Sequence, residues 1–97
     1  MEHTFYVLYS LKDHKIYKGI SSDLNKRIER HNNGGVPSTK HRKPLVLIYT
    51  ETHPTKGEAM KTENYYKSAK GTFELKLKLR RLGIFDSTNK FMDNHSG

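Results

Sequence analysis

The sequence predicts an α/β chain of the α+β kind, a small sheet flanked by helices. Three observations lead there: two strand-like runs at 5–9 and 16–20 joined by a polar stretch, a strongly apolar run at 45–50, and two segments that open on capping residues and carry helical patterning. The 97 residues leave room for one hydrophobic core, because a short chain buries a small share of its surface. Residues 1–85 are assigned to that domain and 86–97 to a polar C-terminal tail.

In chain order, Phe5, Tyr6, Val7, Leu8 and Tyr9 make a run rich in aromatic and β-branched side chains, and Ile16, Tyr17, Lys18, Gly19 and Ile20 make a second. A hairpin is their simplest arrangement. A two-residue turn between Lys12 and Lys15 would put Tyr6, Leu8 and Ser10 on the face that also carries Tyr17 and Gly19, so the two tyrosines point the same way. Ser22 is the expected N-cap of a helix over 23–32, with Asp23 in its first turn and Asn33, Gly34 and Gly35 ending it. A basic loop over 36–44 follows, and 45–50, the most apolar segment, is expected to be the central strand. Thr55 and Glu58 match a capping box for a helix that runs to Ala69 and breaks at Gly71. Residues 74–80 alternate like an exposed strand, yet Leu75, Leu79 and Leu82 also share a helical face; strong helix formers favour a helix over 72–82, closed by Gly83. Beyond Asp86 a frayed tail is expected, with Phe91 docked back.

Eighteen Lys and Arg against 10 Asp and Glu give a formal charge of +8, a field that concentrates polyanions and makes nucleic acid the leading partner. Six tyrosines and four phenylalanines argue for a packed core in spite of the low hydrophobic fraction. With no cysteine, neither disulfides nor a thiolate zinc site can support the fold. No apolar run approaches membrane-spanning length, and the first residues lack the basic and apolar regions of a secretory signal. A cytoplasmic protein is expected, a monomer or weak dimer with no obligate protein partner.

Helical phase singles out charged residues where apolar ones belong. At about 100° per residue, Leu24, Ile28 and His31 fall in one arc with Arg27 beside them, while Ala59, Met60, Glu63 and Tyr66 share an arc of the second helix. An unpaired buried charge is expensive. Arg27 could pack its stem and reach water with its head, and Glu63 could serve a structural ion pair. The convergence of both with two same-face tyrosines instead suits phosphodiester hydrolysis. A carboxylate with waters can hold a hard divalent cation once phosphate completes the shell, a guanidinium fork suits phosphate oxygens, and a phenol or histidine can relay a proton from attacking water.

In order and spacing these residues resemble the GIY-YIG nuclease superfamily, specifically compact single-domain members related to the catalytic module of the bacterial excision-repair nuclease. The first signature tripeptide resembles Thr4-Phe5-Tyr6 and the second Tyr17-Lys18-Gly19; the helix bearing Arg27 and His31, the basic loop and the segment ending in Glu63 follow in the family's order. The resemblance covers about residues 4–82 and implies a three-stranded antiparallel sheet flanked by helices and a one-metal mechanism with Mg²⁺ or Mn²⁺ on Glu63. It further implies that Tyr17 positions or deprotonates water with help from His31, that Tyr6 supports this network, and that Arg27 clamps the scissile phosphate. Lys40, His41, Arg42 and Lys43 are the candidate substrate-binding residues. Two departures stand out. Lys18 occupies an apolar position of the motif and is expected on the outer sheet surface, and the family's late asparagine has no secure counterpart in Asn64 or Asn89.

The function expected is a metal-dependent DNA endonuclease of low sequence specificity, favouring single-stranded or structured DNA, since phosphate contacts position without specifying. A catalytically silent basic DNA-binding module is the alternative. A basic structural or protein-interaction domain has only the generic charge behind it.

Overall fold

In the computed structural model, which describes residues 1–86 and 91, the first strand, β1 (His3–Ser10), is buried at every position from Phe5 to Ser10. A strand buried on alternate residues as well must be covered on both faces. It is: β1 lies between β2 (Ile16–Ser21) and β3 (Leu45–His53) in an antiparallel sheet of order β2-β1-β3. The expected α+β architecture therefore holds, with α1 (Leu24–Asn32) on one face and α2 (Lys56–Lys67) and α3 (Ala69–Arg81) serving the other. Tyr6, Leu8 and Leu45 pack with Tyr17, Leu24 and Ile28 beneath α1. Phe5, Val7, Tyr9, Ile48, Tyr66, Leu75, Leu79 and Phe85 form the larger core opposite.

Position in the sheet corrects one expectation. The most apolar segment, beginning at Leu45, is an edge strand, and Leu47 on it is 40% exposed. The reason lies in a bulge. Val7 pairs with Tyr49 but Leu8 pairs with Leu47, leaving Ile48 extra, so Ile48 and its neighbour Tyr49 both serve the larger core while Leu45 turns to the α1 face. An apolar run thus supplies two faces of an edge strand rather than both sides of a central one.

The hairpin register is also corrected. Tyr6 pairs with Gly19 and Leu8 with Tyr17, and Ser10 N–H donates to Lys15 O at 2.9 Å, so four residues rather than two make the turn, with His14 at φ 61°. The slip is two residues, which preserves the face of every side chain where a slip of one would reverse it. Tyr6 and Tyr17 stay together for that reason.

Helix boundaries shift by the capping chemistry. Asp23, not Ser22, caps α1, its carboxylate accepting from Lys26 N–H, because a carboxylate also suits the positive end of the helix. Thr55 caps α2 as expected, accepting from Glu58 N–H. The break between α2 and α3 falls at Ser68, whose hydroxyl oxygen accepts from Gly71 N–H and caps α3. Gly71 does not break a helix; it lies in the first turn of α3, where a Cβ would stand 1.7 Å from Tyr65 O. The helical reading of 72–82 holds, though the helix starts earlier, and Gly83 closes it at φ 76°.

Lys18 does not face an outer surface. Its ammonium donates to Tyr66 O at 2.6 Å and Thr72 Oγ1 at 3.0 Å, tying β2 to the junction of α2 and α3. Phe91 stacks on Tyr9 with centroids 4.8 Å apart and bridges to Phe85. The rest of the expected tail beyond Asp86, including Asn89, lies outside the described residues. No helix among the described residues is long and apolar enough to cross a membrane.

Candidate active site

The site grows from the middle of β1. Tyr6 is fully buried, and its cross-strand partner is Gly19. A Cβ at Gly19 would stand 2.6 Å from the Tyr6 phenolic oxygen, so the ring can lie across β2 only because glycine is there. Tyr17, two residues earlier and therefore on the same face, brings its ring centroid to 6.4 Å from that of Tyr6.

The helix α1 supplies the next two groups one turn apart, as helical phase requires. Arg27 Nε donates to Tyr6 Oη at 3.4 Å. His31 is completely buried, its Nε2 3.1 Å from Tyr6 Oη and its Nδ1 2.7 Å from Thr39 Oγ1. The His31 ring also meets Tyr17 edge-on at 5.0 Å. Thr39, fully buried within the basic loop, extends the chain to Val36 O at 3.5 Å. Arg27, Tyr6, His31 and Thr39 thus form one line of hydrogen bonds running beneath Tyr17.

Burial sets the protonation of this line. It pushes the Tyr6 phenol up, an effect opposed by the Arg27 hydrogen bond and assisted by the charges of Tyr17 and Glu63, so Tyr6 stays neutral and able to donate. His31 is pushed down by burial first and by the Arg27 and Arg30 charges after it. The imidazole is therefore neutral near neutrality. Arg27 is pushed up, chiefly by its bond to Tyr6, and remains a fixed cation.

Glu63 approaches from α2. Its side chain is 18% exposed and its carboxylate pairs with Lys67 Nζ at 3.2 Å one turn on, while its charge is felt at Tyr6. Of its expected arc, Ala59 and Tyr66 are buried but Met60 is 44% exposed, so the inward face of α2 is narrower than the wheel suggests. Among the described residues, no group of three or more His, Cys, Asp or Glu could hold a metal ion. Any cation here would have the single Glu63 carboxylate as its direct protein ligand. That donor suits a hard ion that keeps most of its waters until a phosphate oxygen arrives.

The four candidates of the basic loop divide. Lys40, His41 and Lys43 are exposed. Arg42 is committed within the chain, its Nε on Asp13 Oδ2 at 2.8 Å and its Nη2 on Ile16 O at 3.3 Å, which pins the loop to the hairpin turn. Asn64, beside Glu63, is exposed. Two residues of the site escape sequence reasoning. Gly19 matters through a steric vacancy that only the observed register reveals, and Thr39 is a hydroxyl among cations with no periodicity to mark it as buried.

Similarity to other proteins runs over the whole of this arrangement. A family model described as the GIY-YIG catalytic domain matches residues 2–77. The UPF0213 protein YazA of Bacillus subtilis (strain 168) is 47% identical over 66 residues, 67% of this chain and 66% of that one. The UPF0213 protein SERP0126 of Staphylococcus epidermidis is 39% identical over 84 residues, 86% of this chain and 100% of that one. The solution NMR structure of the UPF0213 protein BH0048 from Bacillus halodurans aligns with a TM-score of 0.51 at 35% identity, over 82% of this chain and 86% of that one. The matched span holds Tyr6, Tyr17, Arg27, His31 and Glu63 together with the sheet and helices that present them. The chain belongs to the GIY-YIG catalytic domain family, a nuclease superfamily.

Proposed function

We propose that this chain is a divalent-metal-dependent DNA endonuclease of low sequence specificity that favours single-stranded or structured DNA. The observation that carries the reading is the buried line from Arg27 through Tyr6 to His31 with half-buried Tyr17 against it and the Glu63 carboxylate within electrostatic reach. Arg27, anchored through Nε, keeps its remaining N–H groups for the scissile phosphate. Tyr17 holds or deprotonates the attacking water, with His31 behind it. Tyr6 is the post on which both lean. Glu63 would hold Mg²⁺ or Mn²⁺, which when bound would supply charge to polarise the phosphoryl oxygen and stabilise the leaving 3′-oxygen. Lys40, His41 and Lys43 guide the backbone toward the site, and a domain this small offers little surface for reading a long base sequence.

Purified protein incubated with circular single-stranded and duplex DNA plus Mg²⁺ or Mn²⁺ tests the proposal. Nicking is expected from wild type and not from Glu63→Ala, Arg27→Ala or Tyr17→Phe variants that retain their far-UV spectra. Absence of nicking, or full activity in Glu63→Ala, sinks it. The exposed cations of the basic loop also suit a silent binder, but a bare Glu63 carboxylate beside a phosphate would repel it. Tight binding with DNA left intact over long incubation would favour that second reading.

A further inference from the structure

We propose that Thr39 is a positioning residue that holds His31 as its Nδ1–H tautomer, so that Nε2 is the acceptor for the Tyr6 hydroxyl. The inference rests on the nuclease reading for its consequence in catalysis, but not for its geometry. It follows from counting donors along the buried line. A guanidinium only donates, so at the 3.4 Å contact the Tyr6 oxygen accepts from Arg27 Nε. The Tyr6 proton then goes to His31 Nε2 at 3.1 Å, which must be bare. A neutral imidazole carries its one proton on the other nitrogen, and Nδ1–H donates to Thr39 Oγ1 at 2.7 Å. The Thr39 hydroxyl completes the line by donating to Val36 O. Tyr6, His31 and Thr39 each donate once and accept once along the line.

The reverse tautomer strands the Tyr6 hydroxyl. With the proton on Nε2, both Arg27 and His31 would donate to the Tyr6 oxygen, and the Tyr6 hydroxyl would have no acceptor among the described residues. Thr39 would turn its hydroxyl to Nδ1, and the Val36 carbonyl would give up the 3.5 Å hydroxyl contact while keeping Thr39 N–H at 3.1 Å. Buried polar groups without partners are costly, and Tyr6, His31 and Thr39 are all fully buried. Arg27 thus sets the direction of the line, and Thr39 Oγ1, as the acceptor of Nδ1–H, holds the His31 tautomer that leaves Nε2 bare for the Tyr6 phenol. The basic loop and the phosphate clamp are joined at the Thr39 hydroxyl.

Long-range ¹H–¹⁵N correlation of the His31 ring, recorded where the imidazole is neutral, decides the matter in the wild-type protein itself. A proton on Nδ1 is expected; a proton on Nε2 overturns the proposal. Thr39→Val, which keeps the shape and removes the hydroxyl, should move His31 toward the Nε2–H form, and Thr39→Ser should keep Nδ1–H. An unchanged tautomer in Thr39→Val also overturns it. On DNA with Mg²⁺, Thr39→Val should lower kcat by about tenfold to a hundredfold, the range seen when a metal-bound histidine loses its orienting partner and taken over for His31, with KM nearly unchanged and activity rescued in Thr39→Ser. If wild type cuts no DNA, the nuclease reading fails while the tautomer still judges Thr39. If Thr39→Val does not fold, the wild-type and Thr39→Ser spectra still decide.

Discussion

At Gly19 the site depends on an absent side chain. The Tyr6 ring fills the space a Cβ would take, with its oxygen at 2.6 Å and Cζ at 2.7 Å from that point. A flexible, exposed tyrosine would swing aside, but this one is buried and bonded to Arg27 and His31, so Gly19→Ala forces either the ring or the strand to move. Overpacking of this kind costs about 1–3 kcal/mol, and the variant should unfold at lower urea concentration and lose cleavage together. An unchanged urea midpoint would mean that the ring has room the structure does not display. Single-residue features divide by whether periodicity marks them. Arg27, His31 and Glu63 were legible because a polar or charged residue on an inward helical arc breaks a pattern. Thr39 breaks none: its partner is set by how a nine-residue loop, 36–44, folds back over α1, and that closure has no local signature.

Elements were legible in kind and less so in place. Strand alternation put Tyr6 and Tyr17 on one face whichever even slip the hairpin took, whereas the length of its turn depended on His14 reaching positive φ. The edge position of β3 was hidden because a bulge at Ile48 lets an apolar run serve both faces. What fastens this edge strand is polar. Glu51 Oε2 accepts from Tyr49 Oη at 2.5 Å and Tyr66 Oη at 2.7 Å and lies 3.6 Å from Lys78 Nζ, so one carboxylate ties β3 to α2 and α3. Burial pushes its pKa up, but the two phenol hydrogen bonds and the Lys78 and His53 charges outweigh that and hold it below the ordinary 4.5. A depressed carboxylate contributes stability that is present above its unfolded value and lost as pH falls through its folded one. Wild type should therefore weaken on acidification below about pH 4.5, while Glu51→Gln should start about 1–3 kcal/mol less stable at pH 7 and show a flatter decline. Urea titrations of both proteins at several pH values measure the difference; parallel curves would mean that Glu51 contributes nothing through its charge.

For the molecule as a whole, the +8 charge predicted a polyanionic partner without saying which cations meet it. The fold sorts them. Lys18 is consumed beneath the sheet, Arg42 by Asp13 and Lys67 by Glu63, whereas Lys40 and Lys43 stand exposed on the loop whose Thr39 joins the hydrogen-bonded line at His31. Phosphate contacts release counterions, so binding weakens with salt in proportion to their number. In the Glu63→Ala background, where the strand should remain uncut, oligonucleotide affinity should fall as salt rises. Adding Lys40→Ala and Lys43→Ala should then make the slope of log affinity against log salt shallower by about one per lysine removed. Lysines outside this loop, such as the exposed Lys56 and Lys61 on α2, should change affinity little when neutralised in the same way. Equal effects from both pairs would mean that the strand is held by the diffuse field of the protein, and an unchanged slope in the loop variant would remove the loop from the path of the DNA.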